Sequence, residues 1–195
     1  MTRKPTQIAA SVSHRLLQRS QSLGEDYQLT LQRYAIERLL FRLSQSPAHD
    51  RFVLKGAMLY LVWGGEIYRP TRDLDLLGYG PDTAEAVNDC FRSLCSIEVK
   101  DDGLVFLPDT VRSEKIRDAA EYGGLRVRLE ARLDKAPSAF RWISVLVISS
   151  FLVPRKRRFP FYLKALLRGF GPTRGRVSSP RSFMPPRCWE TRTVD

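Results

Sequence analysis

The sequence predicts an α/β fold, and three observations lead there. Two long segments near the N-terminus repeat their apolar residues with helical spacing. Several later segments alternate polar and apolar residues with period two, as half-buried strands do. Between these patterns a glycine turn joins a short apolar strand to a short apolar helix, an order typical of mixed α/β units.

The elements follow in order. Ile8 to Ser22 and Asp26 to Ser46 read as two helices. In the second, Ile36, Leu39, Leu40 and Leu43 hold the i, i+3, i+4, i+7 spacing of one buried face. Ser46-Pro47 stops it, because a residue before proline is pushed out of the helical region. Arg51 to Leu54 predicts a short strand, interrupted at Lys55-Gly56-Ala57. Met58 to Trp63 predicts a short buried helix, closed by Gly64-Gly65. Arg72 to Leu77 alternates charged and apolar residues, which is a strand with one exposed face. Gly78 to Asp82 is a turn, and Thr83 caps a helix running to about Cys95. Ser96 to Leu107 suggests a hairpin turning at Asp101-Asp102-Gly103. Ile116 to Leu133 contains further strand-like stretches, among them the period-two Leu125-Arg126-Val127-Arg128-Leu129.

Composition narrows the class. A hydrophobic content of 43% is enough for a core. The longest apolar candidate, Trp142 to Val153, contains three serines. It falls short of the ~18–20 residues of a membrane span. No apolar segment follows the basic N-terminus as in a signal peptide. Cys90, Cys95 and Cys188 lack CxxC spacing and only His14 and His49 accompany them, so a zinc site is not expected. The expectation is a cytoplasmic protein with free thiols.

The net charge of +11 suggests a nucleic-acid binder until its distribution is read. Residues 1–136 hold 20 basic and 19 acidic side chains, whereas residues 137–195 hold 12 and 2. Seven of the 12 prolines also fall after residue 136. Two segments are therefore expected: a core over 1–136 and a basic, Pro/Arg/Ser-rich, poorly ordered tail over 137–195. Arg155 to Arg158 reads as a solvated run.

Asp73 and Asp75 stand two apart on a predicted strand, so both carboxylates point to one face, with Cα atoms ~6.6–7 Å apart from the strand rise. That arrangement suits Mg²⁺, a hard cation that bridges protein carboxylates to substrate phosphates. Upstream, Gly56 marks a strand-to-helix turn whose backbone N–H groups attract phosphate. Lys55, Arg69 and Arg72 can add charge-assisted contacts to it. An Asp-x-Asp alone is more often a solvated edge than a metal site. The metal reading rests on the whole order: strand, glycine turn, helix, then a strand with paired aspartates.

That order is similar to the DNA polymerase β-like nucleotidyltransferases. The wording Leu54-Lys-Gly-Ala57, then Arg69-Pro-Thr-Arg-Asp-Leu-Asp-Leu76, resembles the AbiEii/AbiGii-type nucleotidyltransferase toxins, to which the MenT toxins are related. Ile116 and Glu121-Tyr-Gly-Gly-Leu-Arg-Val127 resemble the family's next block, so the resemblance spans about residues 30–136. Ala57 departs from it, since the family often has glycine or serine there. The resemblance implies transfer of a nucleotide from an NTP to an RNA (tRNA ends included) or protein hydroxyl, with Mg²⁺. It assigns catalysis and metal binding to Asp73 and Asp75. It assigns nucleotide binding to Lys55, Gly56, Ala57, Arg69 and Arg72. It also implies a cognate antitoxin as partner.

The resemblance further implies a third carboxylate, in a stretch like VDIGFGD, and a lysine in a later helix. Neither is found. A second reading frame supplies both. Read from each codon's third base, residues 137–148 can encode IRFQVDIGFGD, and Trp142-Ile143 must give an aspartate. In the same frame, Arg176 to Met184 can encode SVVAEKLH. This points to a frameshift near Lys135 to Pro137, which leaves the nucleotidyltransferase core truncated, the tail non-native and the chain as written inactive. The alternatives are a non-enzymatic basic nucleic-acid-binding protein and a remnant that binds only the antitoxin.

Overall fold

The computed structural model describes residues 7–59, 72–116, 124–133 and 140–149. Helix α1 covers Gln7–Leu23 and α2 covers Tyr27–Gln45. Asp26 caps α2, its carboxylate accepting from the backbone N–H groups of Gln28 and Leu29 at 2.6 and 3.2 Å. Ile36, Leu39, Leu40 and Leu43 are all fully buried, as their spacing predicts. On α1 the buried stripe is Ala9, Val12, Leu16 and Ser20. Gly24, at φ +62°, ends α1 in the left-handed conformation that favours glycine.

A 3-10 turn at His49–Arg51 leads into β1, Phe52–Lys55. Strand β2 is Asp73–Gly78, and α3 is Ala84–Cys95, capped as predicted by Thr83, whose hydroxyl accepts from the Ala86 N–H. Strands β3, Leu104–Ile116, and β4, Gly124–Leu133, form a long antiparallel ladder. Strand β5 is Phe140–Ser149. The five strands make one mixed sheet in the order β1-β2-β5-β4-β3, in which only the β2–β5 pair is parallel.

Burial alternates along the strands and gives the sheet two different faces. Leu54, Leu74, Leu76, Val127, Leu129, Val145 and Val147 join the core built with α2 and α3. The pairing registers put Lys55, Asp73, Asp75, Ser144, Arg126, Arg128, Arg112 and Glu114 on the other face. Strand alternation alone enforces this sorting.

Two expectations are corrected. The hairpin over Ser96 to Leu107 is absent: residues 96–103 carry no strand, and the turn triplet is anchored to α2. Asp102 is buried and accepts from Arg38 Nε at 2.7 Å and Arg42 Nη1 at 2.8 Å, while its carbonyl accepts from the Tyr34 hydroxyl at 2.8 Å. Gly103, at φ +75°, packs against α1, where a Cβ would lie 2.9 Å from the Ala9 Cα. Such a triplet reads locally as a solvated turn because its long-range partners are invisible in sequence.

The second correction concerns the tail. The sequence reading closes the core at Ala136, but Phe140–Ser149 lies between β2 and β4, with Ile143 and Val145 fully buried. The bulk composition changes at residue 137, yet the apolar alternation of Ile143, Val145 and Val147 is that of a core strand. Residues 150–195 lie outside the described residues, as do Arg155 to Arg158 and most of the predicted helix at Met58 to Trp63.

Strand β3 is longer than expected and breaks register between Leu107 and Arg112. Pro108 has no N–H for the ladder. Thr110 bridges the gap: its hydroxyl donates to the Leu107 carbonyl at 2.6 Å and accepts from the Glu130 N–H at 3.0 Å.

Candidate active site

The paired aspartates sit on the face of β2 opposite the core shared with α2 and α3. Leu74 and Leu76, between and beyond them, are fully buried, which fixes the strand's rotation and points both carboxylates outward. Asp73 is exposed and Asp75 is half-buried. Burial, and then the neighbouring Asp73 carboxylate, push the Asp75 carboxyl above the usual carboxylate range, while Lys55 opposes the shift. Crowding like charges in this way favours a cation between them.

Lys55 is the direct cross-strand partner of Asp75. The next residue, Gly56, turns at φ +66° and passes against the Asp75 carboxylate. A Cβ on Gly56 would stand 2.9 Å from Asp75 Cγ, closer than side chains allow. The Gly56 carbonyl accepts from the Leu59 N–H at 3.1 Å, so the helical turn at Met58 and Leu59 begins directly from the glycine. Ala57 lies in this turn and is half-buried. Thus the structure brings Lys55, Gly56, Ala57, Asp73 and Asp75 together. Arg72 is exposed at the entrance of β2, and Arg69 lies outside the described residues.

One positioning contact is not evident from sequence. Gln32 Nε2 of α2 donates to the Arg72 carbonyl at 2.7 Å and so fixes the chain just before Asp73. In sequence Gln32 is one of many polar residues on α2, so nothing singles it out.

On the neighbouring strand β5, Ser144 is the direct partner of Asp73, and Leu146 that of Asp75. No aspartate or glutamate occurs between Pro137 and Trp189. Among the described residues, no group of three or more His, Cys, Asp or Glu side chains is placed to hold a metal ion. The two aspartates fit a cation that completes its shell with substrate phosphates and water, since Mg²⁺ commonly takes only one or two protein carboxylates.

A cavity of about 490 Å³ lies at the opposite end of β2, lined by Arg51, Gly78, Tyr79, Thr83, Lys115 and Gly124 among others. It is apart from the carboxylates.

Residues 38–184, well over half of the chain, match the family described as Nucleotidyl transferase AbiEii toxin, Type IV TA system. The chain belongs to the AbiEii nucleotidyl transferase toxin family. The AbiEii match extends past Ala136 to Met184, farther than the resemblance read from motifs. It thereby takes in β5, in agreement with that strand's place in the sheet. A comparison with curated proteins finds no match. Among the described residues, no helix is long and apolar enough to cross a membrane.

Proposed function

We propose that this AbiEii-family chain is the toxin of a type IV toxin–antitoxin pair, acts on an NTP through Asp73 and Asp75, and has a cognate antitoxin as partner. The observation that carries the reading is the approach of the Gly56 turn to Asp75 on the sheet face that also carries Asp73. In the reaction, an acceptor hydroxyl oxygen bonds to the α-phosphorus of the NTP. The bond to the bridging oxygen of the β-phosphate breaks, pyrophosphate leaves, and the hydroxyl proton passes to water. Bound Mg²⁺ supplies charge neutralisation on the phosphates. Asp73 and Asp75 would hold it, and the Gly56–Ala57 turn would orient the triphosphate through backbone N–H groups. Lys55 and Arg72 contact the outer phosphates, and Arg69 is assigned with them.

Transfer by the chain as written is weak in this reading, because β5 offers a serine opposite Asp73 where the reaction benefits from a third carboxylate. The alternate frame would place an aspartate at positions 142–143, within two residues of that partner. Loss of one such group is expected to cost several powers of ten in rate, at one per ~1.4 kcal/mol of barrier.

The test is labelled NTP transfer to total tRNA and to total protein, by the chain as written, its frame-restored version, and the restored version carrying Asp73→Ala or Asp75→Ala. The expected result is transfer only by the unsubstituted restored chain. Robust transfer by the chain as written, abolished by either alanine, would show that β5 needs no carboxylate. No transfer by any version would defeat the assignment of the reaction.

A further inference from the structure

A second charged group shares the sheet face with the aspartates. Arg126 and Arg128 lie on β4, separated from β2 by β5 alone. Arg128 is the register partner of Ser144, which is itself the partner of Asp73. Two inter-strand spacings put Arg128 roughly 10 Å from Asp73 along that line. Beyond them, on β3, Arg112 is the direct partner of Arg128, and Glu114 that of Arg126.

The balance within this strip is uneven. Arg128 Nη2 reaches Glu114 Oε1 at 3.0 Å and Arg126 Nη1 reaches the same oxygen at 3.6 Å. All three side chains are about half exposed. Arg112 is exposed. Two guanidinium groups therefore share one carboxylate, while Arg112 stands opposite Arg128 on the same face and the buried Glu130 follows Arg128 along β4. Arg112 and Arg128 stand directly opposite each other, an arrangement of like charges that costs stability in a bare sheet. Among the described residues, Arg112 makes no ion pair. An anion seated between the guanidinium groups would remove the repulsion, and guanidinium forks match phosphate oxygens in pairs.

We infer that Arg112, Arg126 and Arg128 form a phosphate-binding strip. It holds the backbone of a polynucleotide acceptor while the acceptor's terminal hydroxyl lies at the Asp73–Asp75 end of the same face. This rests on the reading of that face as a nucleotidyl-transfer site and names what holds the acceptor there. A separation of roughly 10 Å, two strand spacings, suits a phosphate a nucleotide or two back from the reacting end. A protein acceptor would have no regular anions to engage these arginines. Glu114 competes with the bound strand, keeps the arginines extended and is displaced from them on binding.

The experiment measures binding of a labelled single-stranded RNA oligonucleotide of mixed sequence to the full chain, across a salt series. Each neutralised phosphate contributes a salt slope of about 0.7 for a single strand. The triple variant Arg112→Gln, Arg126→Gln, Arg128→Gln is expected to lose roughly 2 units of slope. Glu114→Gln is expected to tighten RNA binding several-fold, whereas the charge-matched Glu98→Gln, at an exposed loop position, leaves it unchanged. Affinity for NTP with Mg²⁺ is expected to stay the same in the triple variant and to fall in Asp75→Ala. Circular dichroism checks that each variant is folded.

An unchanged slope in the folded triple variant, or equal effects of Glu114→Gln and Glu98→Gln, would overturn the strip. So would loss of NTP affinity in the triple variant, because the arginines would then belong to the donor triphosphate. Failure of Asp75→Ala to affect NTP binding, with the RNA results as expected, would strike the transfer reading and leave the strip standing.

Discussion

Gly56→Ala tests the local geometry of the candidate site, and its size can be worked from the structure. Gly56 holds φ +66°, where an L side chain costs about 1–2 kcal/mol. The added Cβ also meets the Asp75 side chain, 2.9 Å from Cγ and 3.1 Å from Cβ. Overpacking of this kind typically costs about 1–3 kcal/mol more. Gly24 is an internal control, for it has nearly the same φ, +62°, with no atom within 4 Å of where an added methyl would stand. Gly24→Ala therefore measures the backbone cost alone. In urea unfolding, Gly24→Ala is expected to lose about 1–2 kcal/mol and Gly56→Ala about 2–5 kcal/mol. Adding Asp75→Ala to Gly56→Ala should recover part of the difference, since the offending carboxylate is gone while the Cβ at 3.1 Å remains. The same Gly56→Ala chain should lose Mg²⁺-dependent NTP binding, because Asp75 must rotate away. Equal losses for the two glycines, or no recovery in the double variant, would refute the claim that Gly56 is glycine because Asp75 stands against it.

Three further outcomes follow from buried charge. Asp102→Ala leaves Arg38 and Arg42 without their shared carboxylate and is expected to cost about 3–5 kcal/mol in urea unfolding. Burial would raise the Asp102 carboxyl, but hydrogen bonds from Arg42 and Arg38 hold it below the usual range. Its stabilisation is thus complete above the unfolded value near 3.9 and is lost as pH falls below that, so an Asp102→Asn chain should show a flatter acid limb. Glu37 behaves oppositely. Burial, only partly offset by Arg19, Arg38 and Arg33, pushes its carboxyl up to about 8. The native state then keeps a proton that the unfolded chain releases, stability falls as pH rises from about 4.5 to 8, and Glu37→Gln should remove that slope in unfolding measured across the range.

Much of the helical part was legible because its signals are local. Apolar spacing located α1 and α2, and the cap residues Asp26 and Thr83 each sit where their side chains accept backbone hydrogen bonds. The Asp-x-Asp strand and the glycine turn were legible for the same reason, as period two and a strand-to-helix break are short-range patterns. What sequence could not give was pairing. Leu104 meets Leu133 and Asp73 meets Ser144 only after the chain has closed long loops. The hairpin expected at residues 96–107 failed on this point, since Asp102 answers to Arg38 and Arg42, about sixty residues upstream. Bulk composition misled in a related way. It placed a boundary at residue 137, whereas three β-branched residues at alternate positions decide where β5 lies.

The parallel pairing of β2 with β5 explains why carboxylates and arginines can serve one reaction although neither segment contacts the other in sequence. Strand β2 has β1 on one side, which ends in Lys55 and the Gly56 turn, and β5 on the other. On the proposed function, the donor triphosphate lies on the β1 side of Asp75. On the same reading, an acceptor arrives from the β5 side, across Ser144, whose register partner on β4 is Arg128. Because α2 and α3 share their core with the opposite face, no described helix closes this approach. A serine at the crossing point presents a polar side chain without the repulsion a carboxylate would set against a phosphate strand. A carboxylate restored at positions 142–143 would stand within two residues of that crossing. The frame-restored chain should accordingly gain transfer rate while binding RNA no more tightly than the chain as written, and a gain in both would mean that β5 contributes through acceptor binding and not through the reacting end.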